Sequence, residues 1–410
     1  MKPNTAEIIQ DGDTQIITIN LVGTPIEMGR AYGRELSEQL NAVLKIILGY
    51  FVDEKQIDYQ AVLDCANKFY ARYSIETYRE FLQGMSEGSG LSLDDCKIIL
   101  AMETLNALLA QPSVAQCAFL SLPPEKTETG SVMIGRNYDY PPPFDKCAKF
   151  LVVAVYHFEG KVPTATVSLP GQIFCATGIN AANIFLEFNN GMPSGGYEVA
   201  EKQTLLIKLL DILTSSSSLA EVKAKLRETE TDFSLIVNYA DPAEVKACEF
   251  SSTLGARTHS PEMDKPHAST NFFLGSWQED AVPAATDESA WEGVTRRNNL
   301  LALAEAQAVL TMDDLKVAME TPLAEGGAHW PLTIYQVLYD AGSSTMHLRS
   351  CHQKAWTPIP LASHFNSSSS QEVEGKDSPS RSGSPSLLFR AVAEGEGGLT
   401  EETLGQTGGM

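Results

Sequence analysis

Cys117-Ala118-Phe119-Leu120-Ser121-Leu122 opens a segment in which the hydrophobic pattern of the chain changes from a helical period to a period of two. A loop rich in turn-forming residues, 123–130, separates it from a second run of strand-forming residues, 132–140. Two such runs joined by a loop that contains Pro and Gly predict a β-hairpin with Cys117 at its start.

Residues before and after this hairpin predict both helices and strands. Residues 14–22 are rich in β-branched side chains and predict a strand, whereas residues 25–110 repeat apolar side chains at intervals of three and four. Ser92 with Asp95 and Thr311 with Asp314 have the spacing of capping boxes. Further strands are predicted over 150–157, 164–168, 183–189, 233–239, 246–250, 333–339 and 345–348, and further helices over 200–214, 219–228 and 295–308. The chain is therefore predicted to be an α+β protein.

The composition restricts the class of protein. The 410 residues include 30 Lys and Arg against 52 Asp and Glu, which gives a formal charge of −22. Because nucleic acids and anionic membranes attract clustered basic residues, neither is expected as a partner. No apolar run is long enough to span a membrane, and no secretory signal is visible. The seven cysteines form no C-x-x-C pair and the histidines no ligand cluster, so we expect a cytoplasmic protein without a metal or cofactor.

The C-terminal segment 363–410 differs from the rest of the chain. From residue 366 onward Ser and Gly dominate, acidic residues outnumber basic ones, and Phe389 is the one aromatic residue. Such a segment cannot bury enough apolar surface to offset the loss of conformational entropy on folding. We therefore expect a disordered acidic tail.

Gly84-Met85-Ser86-Glu87-Gly88 matches G-x-S-x-G, the nucleophile elbow of α/β-hydrolases. That motif requires a sharp turn from a strand into a helix. The preceding residues, 78–83, have helical spacing, so we interpret Gly84, Gly88 and Gly90 as the exit of a helix before the Ser92 cap and not as an elbow.

Cys117 is the strongest candidate nucleophile. Most free cysteines are buried and inert, and this remains the alternative interpretation. However, a nucleophile at the first position of a hairpin suits a chain that is cut between Gln116 and Cys117, because the new α-amino group can act as the base for its own thiol. No histidine lies near Cys117 in the sequence to provide a Cys–His pair.

Arg136 and Asp139 on the second strand are candidates for supporting this thiol. Alternation places their side chains on opposite faces of the strand unless the chain bends. A nearby Arg and Asp would lower the pKa of the thiol and orient the amine, whereas the simpler interpretation is a surface ion pair beside a turn.

The combination of Cys117, its strand and Gly135-Arg136-Asn137-Tyr138-Asp139-Tyr140 resembles the opening of N-terminal-nucleophile hydrolases of the choloylglycine hydrolase type, most closely the acyl-CoA:6-aminopenicillanate acyltransferase group. Three later stretches also resemble elements of that family: Gly178-Ile179-Asn180 with Phe188-Asn189-Asn190, then Ser269-Thr270-Asn271-Phe272, then Val294-Thr295-Arg296-Arg297. The order of these elements along the chain makes the resemblance specific.

The resemblance implies a role for each matching residue and a division of the chain. Asn190, which the register favours over Asn189, and Asn271 match the active-site asparagines, and Arg296 matches an arginine at a helix start. The implied fold is a four-layer αββα sandwich over residues 117–362. Residues 1–116 match the mostly helical pro-region of the family, and the G-x-S-x-G stretch matches part of that pro-region.

The implied activity is a self-processing amidohydrolase or acyltransferase that acts on a small acylated amine, with acyl-CoA as a possible acyl donor and with the two fragments of the cut chain associated. Cys117 would be the nucleophile, Asn190 and Asn271 would face the oxyanion, and Arg136, Asp139 and Arg296 would hold the nucleophile and its amine. Two alternatives remain open: an uncleaved, non-catalytic binding or scaffold protein, and a conventional cysteine peptidase.

Overall fold

Two β-sheets form the centre of the protein in the computed structural model, which describes residues 3–109, 116–191, 202–252, 254–274, 285–288, 290 and 292–366. The strands are β1 (Ala6–Asp11), β2 (Thr14–Val22), β3 (Gln116–Leu122), β4 (Met133–Asp139), β5 (Phe150–His157), β6 (Thr164–Ser168), β7 (Thr177–Asn180), β8 (Phe185–Asn190), β9 (Leu235–Ala240), β10 (Val245–Ser251), β11 (Gly255–His259), β12 (His267–Ser269), β13 (Thr333–Asp340), β14 (Thr345–Ser350) and β15 (Thr357–Pro360).

Helices lie between β2 and β3 and in several of the later connections between strands. They are α1 (Pro25–Glu35), α2 (Ser37–Leu48), α3 (Tyr59–Arg72), α4 (Glu76–Ser89), α5 (Leu93–Leu100), α6 (Met102–Leu109), α7 (Phe144–Cys147), α8 (Leu205–Thr214), α9 (Leu219–Arg227), α10 (Gly293–Glu305), α11 (Met312–Glu320) and α12 (Ala362–Phe365). The predicted capping boxes of Ser92 with Asp95 and of Thr311 with Asp314 are both formed, at the starts of α5 and α11. Reciprocal hydrogen bonds there satisfy backbone N–H groups that a helix start leaves without partners.

The nine-stranded sheet has the order β1-β2-β5-β6-β7-β8-β9-β10-β11, and the six-stranded sheet has the order β12-β3-β4-β13-β14-β15. The predicted hairpin of β3 and β4 is present, with Cys117 directly opposite Tyr138. β2 pairs with β5 in parallel, from Gln15 opposite Phe150 to Val22 opposite His157. The segment before Cys117 therefore shares a sheet with strands that come after it.

Alternation along β3 shows how the layers are stacked. Phe119 faces the nine-stranded sheet, where its ring centroid lies 6.2 Å from that of Phe185. Ala118 and Leu120 face the other way, into a second apolar cluster that they share with residues of α10 and α11, such as Leu300. One helical layer thus covers the outer face of the six-stranded sheet.

A second helical layer covers the nine-stranded sheet. Tyr32 of α1 contacts Phe81 of α4, and Phe81 in turn contacts Tyr156 of β5, with ring centroids 5.6 and 5.8 Å apart. All three side chains are fully buried in the main apolar core. The prediction of an α+β protein with an αββα arrangement is confirmed.

The C-terminal part of the described chain ends in α12, where His364 and Phe365 are buried. The folded part therefore extends past residue 362, where we predicted the tail to begin. The remainder of that predicted tail, residues 367–410, lies outside the described residues. No helix in the described ranges is long and apolar enough to cross a membrane.

The G-x-S-x-G stretch lies inside α4 and not at a strand end, and Ser86 donates a hydrogen bond to the main-chain oxygen of Leu91 at 2.7 Å. Gly90 ends the helix as predicted, at φ +76°, whereas the prediction that Gly84 and Gly88 belong to the helix exit is wrong, since both lie inside α4. A Cβ on Gly84 would lie 2.1 Å from the main-chain oxygen of Ile26 in α1. These glycines instead let the backbones of α1 and α4 approach each other.

We expect Gly84→Ala to lower the free energy of unfolding by about 1–3 kcal/mol, because the new methyl group pushes two packed backbones apart. Gly49→Ala is the matched control: its added Cβ would meet no atom closer than Oδ2 of Asp53 at 3.9 Å. Urea denaturation of both variants measures the effect. Equal stability of the two variants would show that α1 and α4 tolerate a wider separation.

Candidate active site

Cys117 is the second residue of β3, and its thiol is enclosed between the sheets with 2% of the residue exposed. Nη2 of Arg136 donates a hydrogen bond to Sγ over 3.8 Å. The main-chain N–H of Cys117 donates to Oδ1 of Asn271 at 3.2 Å. The thiol and the main-chain nitrogen of one residue are therefore held by different side chains.

Arg136 is fully buried on β4 and connects the two sheets. Its guanidinium donates hydrogen bonds to the main-chain oxygens of Ala176 and Phe188 and to Oγ1 of Thr177. Its Nε lies 3.0 Å from Oε2 of Glu187, which is also fully buried. Burial is the largest single effect on the pKa of Arg136 and lowers it, but the Glu187 carboxylate, Cys117 and Tyr335 together raise the pKa above its ordinary value, so the guanidinium stays charged.

Asp139 is fully buried as well and engages partners on the helical side of β4. Its Oδ2 accepts a hydrogen bond from Nη2 of Arg296 in α10, and its Oδ1 accepts one from Oγ1 of Thr333 at 2.6 Å. Nε of Arg296 donates to the main-chain oxygen of Ala328 at 3.0 Å. Burial raises the pKa of Asp139, and the Arg296 guanidinium opposes this shift. Arg136 and Asp139 therefore do not pair with each other, and neither lies at the surface.

The two asparagines predicted for the site are in contact. Nδ2 of Asn271 donates to the main-chain oxygen of Asn190, the last residue of β8, at 3.1 Å. The amide of Asn189 is instead engaged with Ser269 of β12. An amide nitrogen carries two hydrogens, so Nδ2 of Asn271 can donate to the Asn190 carbonyl and to a second acceptor. The main-chain bond to Cys117 gives Asn271 a further role that the sequence did not indicate, since it holds the nitrogen of the nucleophile.

The electrostatic surroundings keep the Cys117 thiol neutral. Burial raises the pKa of Cys117 to about 12, the Arg136 guanidinium opposes that shift, and the carboxylates of Asp139 and Glu187 add to it. At neutral pH the sulfur therefore carries its proton. A reaction at this sulfur needs a base that removes the proton as the new bond forms.

Glu187 is the residue of this cluster that sequence reasoning missed. Burial raises its pKa to about 7, while Arg136 and a hydrogen bond from Nδ2 of Asn238 at 2.5 Å act in the opposite direction. Thr333, which bonds to Asp139, was missed too. A single acidic residue inside an otherwise apolar strand, Phe185-Leu186-Glu187-Phe188, is the signal that was available, because a buried carboxylate needs a partner.

None of the seven histidines, all of which lie in the described ranges, hydrogen bonds to Cys117. The described residues also contain no group of three or more His, Cys, Asp or Glu side chains arranged to hold a metal ion. The arrangement is a buried thiol beside a guanidinium, with Asn271 at the main-chain nitrogen of Cys117 and Asn190 bonded to Asn271.

No protein-family model matches the sequence, and no curated protein sequence matches it. Several solved structures are similar in chain path. An N-acylethanolamine-hydrolyzing acid amidase ortholog from Caenorhabditis elegans has 12% identity and a TM-score of 0.44, with 55% of this chain and 93% of that chain covered. A mutant of conjugated bile acid hydrolase from Clostridium perfringens has 14% identity and a TM-score of 0.39, with 60% of this chain and 93% of that chain covered. Penicillin V acylase from Agrobacterium tumefaciens has 11% identity and a TM-score of 0.38, with 60% of this chain and 86% of that chain covered.

We expect Glu187→Ala to lower the free energy of unfolding by about 3–5 kcal/mol, because it leaves the Arg136 guanidinium buried without a carboxylate. The matched control is Glu87→Ala, which removes an ion pair between Oε2 of Glu87 and Nε of Arg30, 2.6 Å apart. These side chains are exposed, Glu87 to 38% and Arg30 to 49%. Exposed pairs contribute little, so this control should unfold at the urea concentration of the wild type. A similar loss of unfolding free energy in both variants would contradict the conclusion that the buried Arg136 charge depends on Glu187.

Proposed function

We propose that the protein is a self-processing N-terminal-nucleophile amidohydrolase or acyltransferase that cleaves the C–N bond of an acylated amine through Cys117. The observation that carries this proposal is the separate anchoring of the thiol by Arg136 and of the main-chain nitrogen by Asn271. A site that positions both atoms suits a reaction in which both take part.

The neutral thiol and the absence of a histidine bonded to Cys117 in the described chain favour the α-amino group of Cys117 as the base. An α-amino group has an ordinary pKa of about 7.7–8.0, close enough to neutrality to accept a proton and return it. That group exists only after the bond between Gln116 and Cys117 has been cut. The conventional cysteine peptidase is therefore disfavoured.

Self-processing would start with attack of the Cys117 sulfur on the carbonyl carbon of Gln116. As the C–S bond forms, the thiol proton passes to the Cys117 nitrogen and the C–N bond breaks, which gives a thioester and a free α-amino group. Water then hydrolyses the thioester, leaving a carboxylate on Gln116 and restoring the thiol. The bond from Asn271 to the Cys117 nitrogen holds the leaving amine in place during this step.

Turnover would repeat the same chemistry on an external amide. The sulfur attacks the carbonyl carbon, the α-amino group takes the thiol proton and passes it to the leaving amine, and water or a second amine resolves the acyl-thioester. Asn190 and Asn271 would face the oxyanion, and loss of one such donor typically costs about 10²–10³ in rate. Arg136, Asp139 and Arg296 would fix the strands that carry the nucleophile. No cofactor takes part.

Cutting the chain before Cys117 should not separate its two parts. β2 and helices α1–α6 precede the cut, yet β2 pairs with β5 along its length and shares the main apolar core. We therefore propose that the two fragments remain associated after the cut. The proposed small-molecule partner is an acylated amine, with acyl-CoA a possible acyl donor.

We expect Cys117→Ala to remain a single chain of 44.5 kDa without amidase activity, whereas the wild type yields two pieces that meet between residues 116 and 117. The matched control is Cys351→Ala, which removes an exposed free cysteine and should process as the wild type does. Intact mass and a screen of acylated amines, with and without acyl-CoA, read out both effects. A wild type that stays uncut would favour the non-catalytic alternative, and normal turnover by Cys117→Ala would rule out this nucleophile.

We also expect the two pieces of the processed wild type to elute together in gel filtration and to separate only in denaturant, because β2 cannot leave the sheet without exposing the core. Mass analysis of the eluted peak identifies the pieces. Recovery of the piece that begins at Cys117 as a folded particle of its own would contradict this expectation.

A further inference from the structure

Glu103 of α6 belongs to the segment before the proposed cut, yet its side chain lies at the site. The hydroxyl of Tyr138 and Nε2 of Gln172 both donate to Oε1 of Glu103, the latter at 3.2 Å. The hydroxyl of Tyr140 donates to the main-chain oxygen of Glu103 at 2.8 Å. Oε1 of Gln172 accepts from the main-chain N–H of Leu169, which fixes the orientation of that amide.

Tyr138 connects this carboxyl group with the nucleophile. It lies directly opposite Cys117 in the pairing of β3 with β4, and directly opposite residues have side chains on the same face. The Arg136 guanidinium carbon lies 5.0 Å from the centre of the Tyr138 ring. The ring of Tyr335 stacks on the Tyr138 ring, with the two ring centroids 4.5 Å apart. A shift of the Tyr138 ring would therefore displace the guanidinium that bonds to the thiol.

We propose that Glu103, a residue of the pro-region, is a positioning residue for the Cys117 nucleophile and acts through its hydrogen bond with Tyr138. The consequence for turnover rests on the proposed function. If the chain is cut before Cys117, Glu103 makes the pro-region a permanent part of the active site.

The protonation of Glu103 gives this role a measurable signature. Burial raises the pKa of Glu103 to about 8, and the Arg136 charge acts in the opposite direction. Arg136 and Tyr138 on β4 and Tyr335 on β13 interact with this carboxyl group, and the Tyr140 hydroxyl bonds to the main chain of the same residue. Below this pKa the carboxyl group is neutral. Above it, the carboxylate accepts a stronger, charge-assisted hydrogen bond from the Tyr138 hydroxyl. The Tyr138 ring, which lies against the Arg136 guanidinium, then draws that guanidinium away from the sulfur and disfavours a thiolate.

The test is the rate at which iodoacetamide alkylates Cys117 between pH 6 and 10, followed by mass spectrometry of the peptide that contains it. The α-amino group of the processed Cys117 also titrates at about pH 8 but is present in every variant, so the profiles are compared with one another. We expect a break in the wild type relative to Glu103→Gln: above about pH 8 its rate rises less steeply, and Glu103→Gln reacts about threefold faster at pH 9. Tyr138→Phe, which breaks the same bond from the other side, should remove the break as well. Glu80→Gln, an exposed carboxyl group on α4, is the matched control and should behave as the wild type.

The double variant Glu103→Gln/Tyr138→Phe decides whether the effect passes through Tyr138. A double variant that matches either single variant supports the proposal, since two changes on one path do not add. Additive changes, or a Glu103→Gln profile that matches that of the wild type, would overturn it. The assay needs no amide substrate: a protein that shows the break but cleaves no amide contradicts the proposed function alone, and one that cleaves amides without the break contradicts this inference alone.

Discussion

The ion pair between Arg136 and Glu187 is the interaction on which the rest of the site depends. The two side chains come from different sheets and are fully buried, so each charge is tolerated only because the other is present. The same guanidinium bonds to the Cys117 sulfur and to main-chain oxygens of the nine-stranded sheet. The distance between the sheets and the position of the positive charge beside the thiol are therefore set by one contact. Packing of the fold and geometry of the site cannot change independently.

Several features followed from the sequence because they depend on neighbours along the chain. The period of two around Cys117 predicted the hairpin, and the spacing of Ser92 and Asp95 predicted a helix start. Other features depend on residues that are distant in sequence. Glu187 is far from Arg136 along the chain, and nothing local identifies it as the partner. Gly84 was misinterpreted for the same reason, since its function is contact with a helix that lies well before it in sequence.

The site combines features that oppose one another. Burial holds the Cys117 thiol in its neutral form, and the adjacent guanidinium only partly offsets that effect. A permanently ionised thiol would be open to oxidation and alkylation, whereas a protonated one reacts when a base is supplied at the right place. On the other face of β4, Asp139 with Arg296 and Thr333 fixes the strand in position without touching the sulfur through its carboxylate. Reactivity and rigidity are thus assigned to opposite faces of one strand.

The order of strands in the six-stranded sheet has a consequence for the time course of biosynthesis. β4 lies between β3 and β13, and Asn271 and Arg296 also come long after Cys117 in the chain. A nascent chain on the ribosome therefore has its reactive cysteine well before it has the partners that enclose it. At roughly 5–20 residues per second, translation from Cys117 to the end of β13 takes on the order of 10–40 s. During that interval the β4 edge of the hairpin has no neighbouring strand, and until β12 has been synthesised the β3 edge has none either, so the hairpin exposes unpaired backbone groups that could pair with another chain.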